Sequence, residues 1–216
     1  MTAVPVAGAG AVVDRPIAVT RRRIDVLLVG VGAAAAVVLF VAAGLLLWGS
    51  TFSSDYVHDE LGAQAITFPP AASLEEDGRS DLVGYADAEV DTGAEAEAYA
   101  SLIATHVDGI ADGATYSELG DTERAADAAV EDATADGAPA AEIAALEEEA
   151  AAVTGQRDAV FKGEMLRGTL LSTFAWDTIG RIAGIAAWVA FAAAAVMSAL
   201  VVAGGVHLRR LHHAQH

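Results

Sequence analysis

Two long apolar runs bracket a polar stretch with helical periodicity. Residues 26–48 read VLLVGVGAAAAVVLFVAAGLLLW without a charge, and residues 182–206 read IAGIAAWVAFAAAAVMSALVVAGGV with Ser198 as the one clearly polar side chain. At 1.5 Å per residue the first run makes about 34 Å of helix, enough to cross a ~30 Å hydrocarbon core. The second is longer still. Both are rich in Ala and Gly, and Gly32 with Ala36, or Ala183 with Ala187, have the small-xxx-small spacing of close helix pairs. The first run exceeds a signal-peptide core and no A-x-A cleavage site follows Trp48, so it reads as a signal-anchor.

Between the runs the pattern turns helical with a polar face. Phe52, Tyr56, Val57 and Leu61 extend the first helix to a stop near Gly62, and AITFPP (residues 65–70) is a short extended piece ended by Pro69 and Pro70. Thr92-Gly93-Ala94-Glu95 is a capping box that opens a helix over 93–111, with Tyr99, Ile103, His106 and Ile110 as one stripe and Leu102 and Val107 beside it. Asp121 or Thr122 can cap an Ala-rich helix to about Ala135, closed by Gly137. Pro139 then sits in the first turn of a long helix with apolar Ile143, Leu146, Ala150, Val153 and Val160 at steps of three or four. That helix continues towards the second run, loosened at Gly155, Gly163 and Gly168.

Charge assigns these pieces to sides of a membrane. The chain of 216 residues is 54% hydrophobic yet carries a formal net charge of −18. Residues 49–180 hold twenty-eight acidic against five basic side chains, a net −23. Arg21, Arg22 and Arg23 precede the first run, and Arg209 and Arg210 follow the second, which by the positive-inside rule places both termini in the cytoplasm. Arg181 runs mildly against the rule, and Asp177 four residues earlier can neutralise it. Trp48, Phe52, Phe174 and Trp176 are expected to form an aromatic belt. The expected fold is an all-α membrane protein: two antiparallel transmembrane helices with a mostly helical extracytoplasmic domain inserted between them. The expected boundaries are a disordered cytoplasmic tail (1–23), a first transmembrane helix (24–48), the acidic domain (49–178), a second transmembrane helix (179–206) and a cytoplasmic tail (207–216). With such acidity nucleic acid is excluded as a partner, and the tails leave no room for a cytoplasmic output domain.

Candidate chemistry is sparse. Without cysteine there is no disulfide framework, thiolate nucleophile or Cys-built metal site. The sequence has no G-x-S-x-G, P-loop or dinucleotide fingerprint, and the apolar runs carry no ionisable side chain for an ion or proton path. His58 with Asp59 and Glu60, together with His106, is the one set outside the membrane with two His and a carboxylate for iron. A core position for His106 and a surface position for His58 is the simpler reading. Asp87, Glu89 and Asp91 have the opening spacing of a calcium loop, but Gly93 falls one residue late and position twelve is Ala98. His212 and His216 at i, i+4 are a second possible chelating pair.

A contact surface is the stronger candidate. In residues 155–184 the basic Arg157, Lys162 and Arg167 recur at intervals of five beside Phe161, Met165, Leu170 and Phe174. Such an apolar and basic collar can touch anionic headgroups, pack on the first helix's extension, or hold a partner. The same stretch, whose GQRD…FKGEMLRG run is the most specific part, joins YVHDELGAQAITFPP (56–70), TGAEAEAYASLIATHVDGIADGATYSELG (92–120) and the second apolar run in a resemblance. It resembles a family of actinobacterial two-span membrane proteins of uncharacterised function, over nearly everything from Arg21 to Arg210. Some members carry the name aromatic ring-opening dioxygenase, which implies iron in a rigid pocket. The residues themselves favour a non-enzymatic envelope protein with no cofactor. Its expected partners are the lipid bilayer and either a further copy of itself or another membrane protein.

Overall fold

The computed structural model describes residues 21–213, and side chains from 23 to 210. Residues 1–20 of the expected 1–23 tail lie outside the described residues, as do His216 and the side chain of His212, while residues 21–23 open the first helix. Five α-helices account for most of the remainder: α1 (Arg21–Gly62), α2 (Ala71–Glu76), α3 (Gly93–Ala111), α4 (Tyr116–Ala135) and α5 (Ala140–His213), with a 3₁₀ turn over Ser80–Tyr85. The sole β-type pairing among the described residues is an antiparallel bridge between Thr67 and Glu89, where the extended 65–70 piece was expected.

Helices α1 and α5 pass through two compact units, one of residues up to Ala43 and from Val189, the other Gly44–Trp188. In the first unit small residues let the two helices approach. A Cβ placed on Gly32 would come 3.0 Å from Val201, one on Gly204 2.8 Å from Val29, and the rings of Phe40 and Phe191 lie 6.2 Å apart. The outward faces of this unit stay apolar: Leu27, Val38, Val41, Val196 and Val202 are all exposed. Both helices are long and apolar enough to cross a membrane, and only 11% of the most apolar stretch of each is buried. A core helix of a water-soluble domain would bury that stretch.

The second unit is a small helical domain with its own core. Phe68 is buried at its centre, stacked on Tyr85 and edge-on to Tyr99, each at 5.2 Å between ring centroids. Val57 and Leu61 of α1, Leu74 of α2, Leu82, Val90, Ala96, Ala100 and Leu102 of α3, and Leu170 of α5 close around it. A second cluster joins Val107, Ala111, Leu119 and Val160. Helix α3 opens on the expected capping box, with Thr92 accepting from the Glu95 amide and Glu95 accepting from Thr92.

Four details differ from the sequence reading. The buried side of α3 is Ala96, Ala100, Leu102, Val107 and Ala111, while Ile110 and His106 are turned outward. The small Ala side chains allow a closer neighbour than the bulkier stripe would, and the helix rotates to present them. Helix α4 starts six residues before Thr122, because Thr115 and Glu118 form a second capping box. Asp177 forms no ion pair with Arg181 among the described residues; it lies against Gly93, at the amino end of α3, where the helix dipole favours a carboxylate. Helix α5 runs unbroken through Gly155, Gly163 and Gly168. Of these, Gly163 is a point of close approach, since a Cβ there would collide with Val107 of α3, whereas Gly155 and Gly168 face open space.

That contrast predicts opposite signs for one substitution. Gly168→Ala should stabilise the domain by about 0.5–1 kcal/mol through helix propensity, provided that the methyl meets only open space. Gly163→Ala should destabilise it by about 1–3 kcal/mol through overpacking against Val107. Hydrogen exchange of α3 amides in the purified full chain reads both changes.

Candidate functional site

The chemistry-bearing side chains of the domain lie in three places. First, α1 and α5 cross at van der Waals distance through small residues. A Cβ on Gly180 would lie 2.8 Å from that of Ser53, and one on Gly184 2.7 Å from Ser50 Oγ. The Ser53 hydroxyl donates to the Trp176 carbonyl at 2.8 Å. Beside this crossing a groove of about 390 Å³ is lined by Gly49, Phe52, Ser53, Tyr56, Trp176, Ile179, Gly180 and Ala183. A second groove of about 380 Å³ shares Tyr56 and Trp176 and adds Glu60, Gln64, Thr169 and Thr173. Trp48, Phe52 and Tyr56, one helical turn apart, stack with centroids 5.7 and 6.1 Å apart. Trp48 is 66% and Trp176 61% exposed. Three of the four expected belt residues are thus exposed, and Phe174 is half-buried.

Second, the histidines secure the connection between α1 and α3. His58 Nδ1 lies 3.3 Å from the carboxylate of Asp91, and His106 Nε2 3.0 Å from that of Asp77. The two pairs use different carboxylates, and among the described residues no three His, Cys, Asp or Glu side chains gather as a metal site. The set does not fit the iron implied by the ring-opening name. His106 is surface-exposed and hydrogen-bonded, not a core residue as expected. The calcium-like spacing is also used otherwise: Asp91 faces His58, Asp87 has a positive φ, and Thr92 caps α3. Arg79, unnoticed in the sequence, is the chief clamp here. Its guanidinium holds Asp81 through two nitrogens at 2.8 and 3.0 Å and donates to the Ser101 carbonyl, Ser101 Oγ and Thr105 Oγ1 on α3. The hydrogen bonds from Arg79 hold the Asp81 carboxyl below its ordinary range.

Third, the collar divides. Arg157 lies over the Tyr116 ring at 4.4 Å and pairs with Glu123, which also accepts from Thr154 at 2.7 Å. Those hydrogen bonds, Thr154 first and Arg157 next, hold the Glu123 carboxyl below its ordinary range. Leu170 is buried in the core. Lys162 bonds Asp158 and Arg167 bonds Glu164 along the same helix. Phe161 and Met165 remain exposed, with Phe161 tilted against Tyr116 at 5.7 Å between ring centroids. The Thr115-x-x-Glu118 pattern was available in the sequence as the cap of α4. Apart from the local Arg79–Asp81 pair, the Arg79 and Arg157 contacts join residues 22 to 41 positions apart and leave no local signature.

No protein-family model, curated protein or solved structure matches the chain.

The two capping boxes generate a pH dependence. The Thr115 amide and hydroxyl lower the Glu118 carboxyl from its ordinary value. For Glu95 burial pushes upward, but the bonds from Thr92 and the amides of Asp91 and Thr92 outweigh it, and the net shift is again downward. A carboxyl depressed in the folded state contributes stability that is fully present above its unfolded value of about 4.3 and is lost as pH falls through the folded value. Amide protection in the first turn of α4 should therefore weaken below about pH 4.3. Glu118→Gln should flatten that profile, and an unchanged profile in the variant would rule out this origin.

Proposed function

We propose that this chain is an integral membrane protein of the cell envelope, with both termini cytoplasmic and an acidic helical domain outside, and that it acts as a non-enzymatic interaction or accessory protein. The observation that carries the membrane placement is the uncovered apolar surface of α1 and α5, which water would not tolerate and lipid would. Orientation rests on the arginines flanking the two apolar runs and on the −23 charge between them. On this reading α1 and α5 are antiparallel transmembrane helices, and Trp48, Phe52, Tyr56 and Trp176 mark the outer interface.

The interaction role rests on what the domain offers for contact. Exposed Phe161 and Met165 sit on the collar, and exposed Ile110 and Tyr116 belong to the same domain. The collar cations are balanced by Glu123, Asp158 and Glu164, so anionic lipid is a poorer match than a protein surface. The ring-opening activity has no residue set to rest on, since His58 and His106 are engaged by separate carboxylates.

Two measurements test this. Reporters fused to either end of the full chain should be active only in the cytoplasm; a C-terminal reporter active only outside would sink the topology. Pull-down of the tagged protein from native membranes in mild detergent should recover a partner in near-equal amount, or a homo-oligomer. Recovery as a lone monomer, or of a protein with stoichiometric iron that opens a catechol ring, would count against the role.

A further inference from the structure

We propose that the paired grooves beside Tyr56 and Trp176 hold one lipid of the outer leaflet, its acyl chain in the lower groove and a primary ammonium headgroup against Glu60. The inference rests on the membrane placement argued above. The groove beside Phe52 and Ile179 is almost wholly apolar in its lining, as an acyl chain requires. The adjoining groove offers acceptors. Glu60 is its only ionisable lining group apart from the Tyr56 phenol, and its carboxylate makes no hydrogen bond or ion pair among the described residues. The hydroxyls of Thr169 and Thr173 donate to the carbonyls of Met165 and Thr169, at 2.9 and 3.0 Å, which leaves their oxygen lone pairs for an incoming donor. The Tyr56 and Trp176 rings complete the wall and attract a cation through their π faces. A carboxylate, two accepting oxygens and two aromatic rings complement an ammonium with N–H donors and repel a net anionic head.

The reach is right as well. Glu60 lies eight residues beyond Phe52, about 12 Å along α1, and helical side chains lean back towards the amino end, here the bilayer. Its carboxylate therefore falls near headgroup height.

The test uses the full chain with Trp48→Phe and Trp188→Phe, leaving Trp176 as the fluorophore, in phosphatidylcholine bilayers. Equal mole fractions of acyl-brominated phosphatidylethanolamine, phosphatidylcholine or phosphatidylglycerol then serve as quenchers. The ethanolamine lipid should occupy the site roughly tenfold over the glycerol lipid, as one charge-assisted hydrogen bond implies, with phosphatidylcholine between. Glu60→Gln, at an exposed position, should bring the three close to parity with helicity unchanged. Equal quenching by all three in the Glu60 protein, or a preference that survives Glu60→Gln, overturns the lipid site while leaving the membrane placement intact. No quenching by any of them overturns the placement itself.

Discussion

Two seryl residues and two glycines permit the contact on which the domain depends. Helices normally pack 8–10 Å apart, at a distance set by the side chains between them. At Ser50, Ser53, Gly180 and Gly184 there is almost nothing between, and the Ser53 hydroxyl closes on a backbone carbonyl of α5. On the proposed membrane placement, where apolar side chains gain little by meeting one another in lipid, such close backbone packing with an interhelical hydrogen bond is what can hold two helices together. The crossing fixes the register in which Val57 and Leu61 of α1 and Leu170 of α5 meet the core around Phe68.

Above that register the domain is built from local closure more than from mass. Two capping boxes start α3 and α4, Arg79 ties the 3₁₀ turn to α3, and two His–carboxylate contacts hold the chain between α1 and α3. The Ala-rich face of α3 leaves room for its neighbours. Phe68, the largest fully buried side chain among the described residues, shares the core with Leu61, Leu74, Leu82, Leu102 and Leu170, while Tyr85 and Tyr99 pack partly buried against it. Acidity lies mainly on the surface. Where an acid is drawn in, as at Glu123, an arginine and a hydroxyl meet it.

The parts legible in the sequence were those encoded by neighbours along the chain: two uninterrupted apolar helices, the end of α1 at Gly62, the Thr92 box and the turn at Gly137. Periodicity failed where alanine made both sides of α3 look acceptable, since burial there is decided by how near another helix can come. The same ambiguity made Gly163 look like a flaw in α5, when it is the place where Val107 enters. The collar read as one surface because its residues share a repeat. In three dimensions Arg157 and Leu170 turn inward to partners far off in sequence, while Phe161 and Met165 stay out.

The crossing of α1 and α5 is the claim to test most directly, and the absence of native cysteine makes the test clean. A Cβ on Gly184 lies 3.5 Å from that of Ser50, within the range a disulfide spans. The Ser50→Cys, Gly184→Cys double variant, oxidised in native membranes, should form an intramolecular crosslink at high yield, with each single variant giving none. Failure to crosslink, or crosslinking only between separate chains, would contradict the crossing and the domain register built on it.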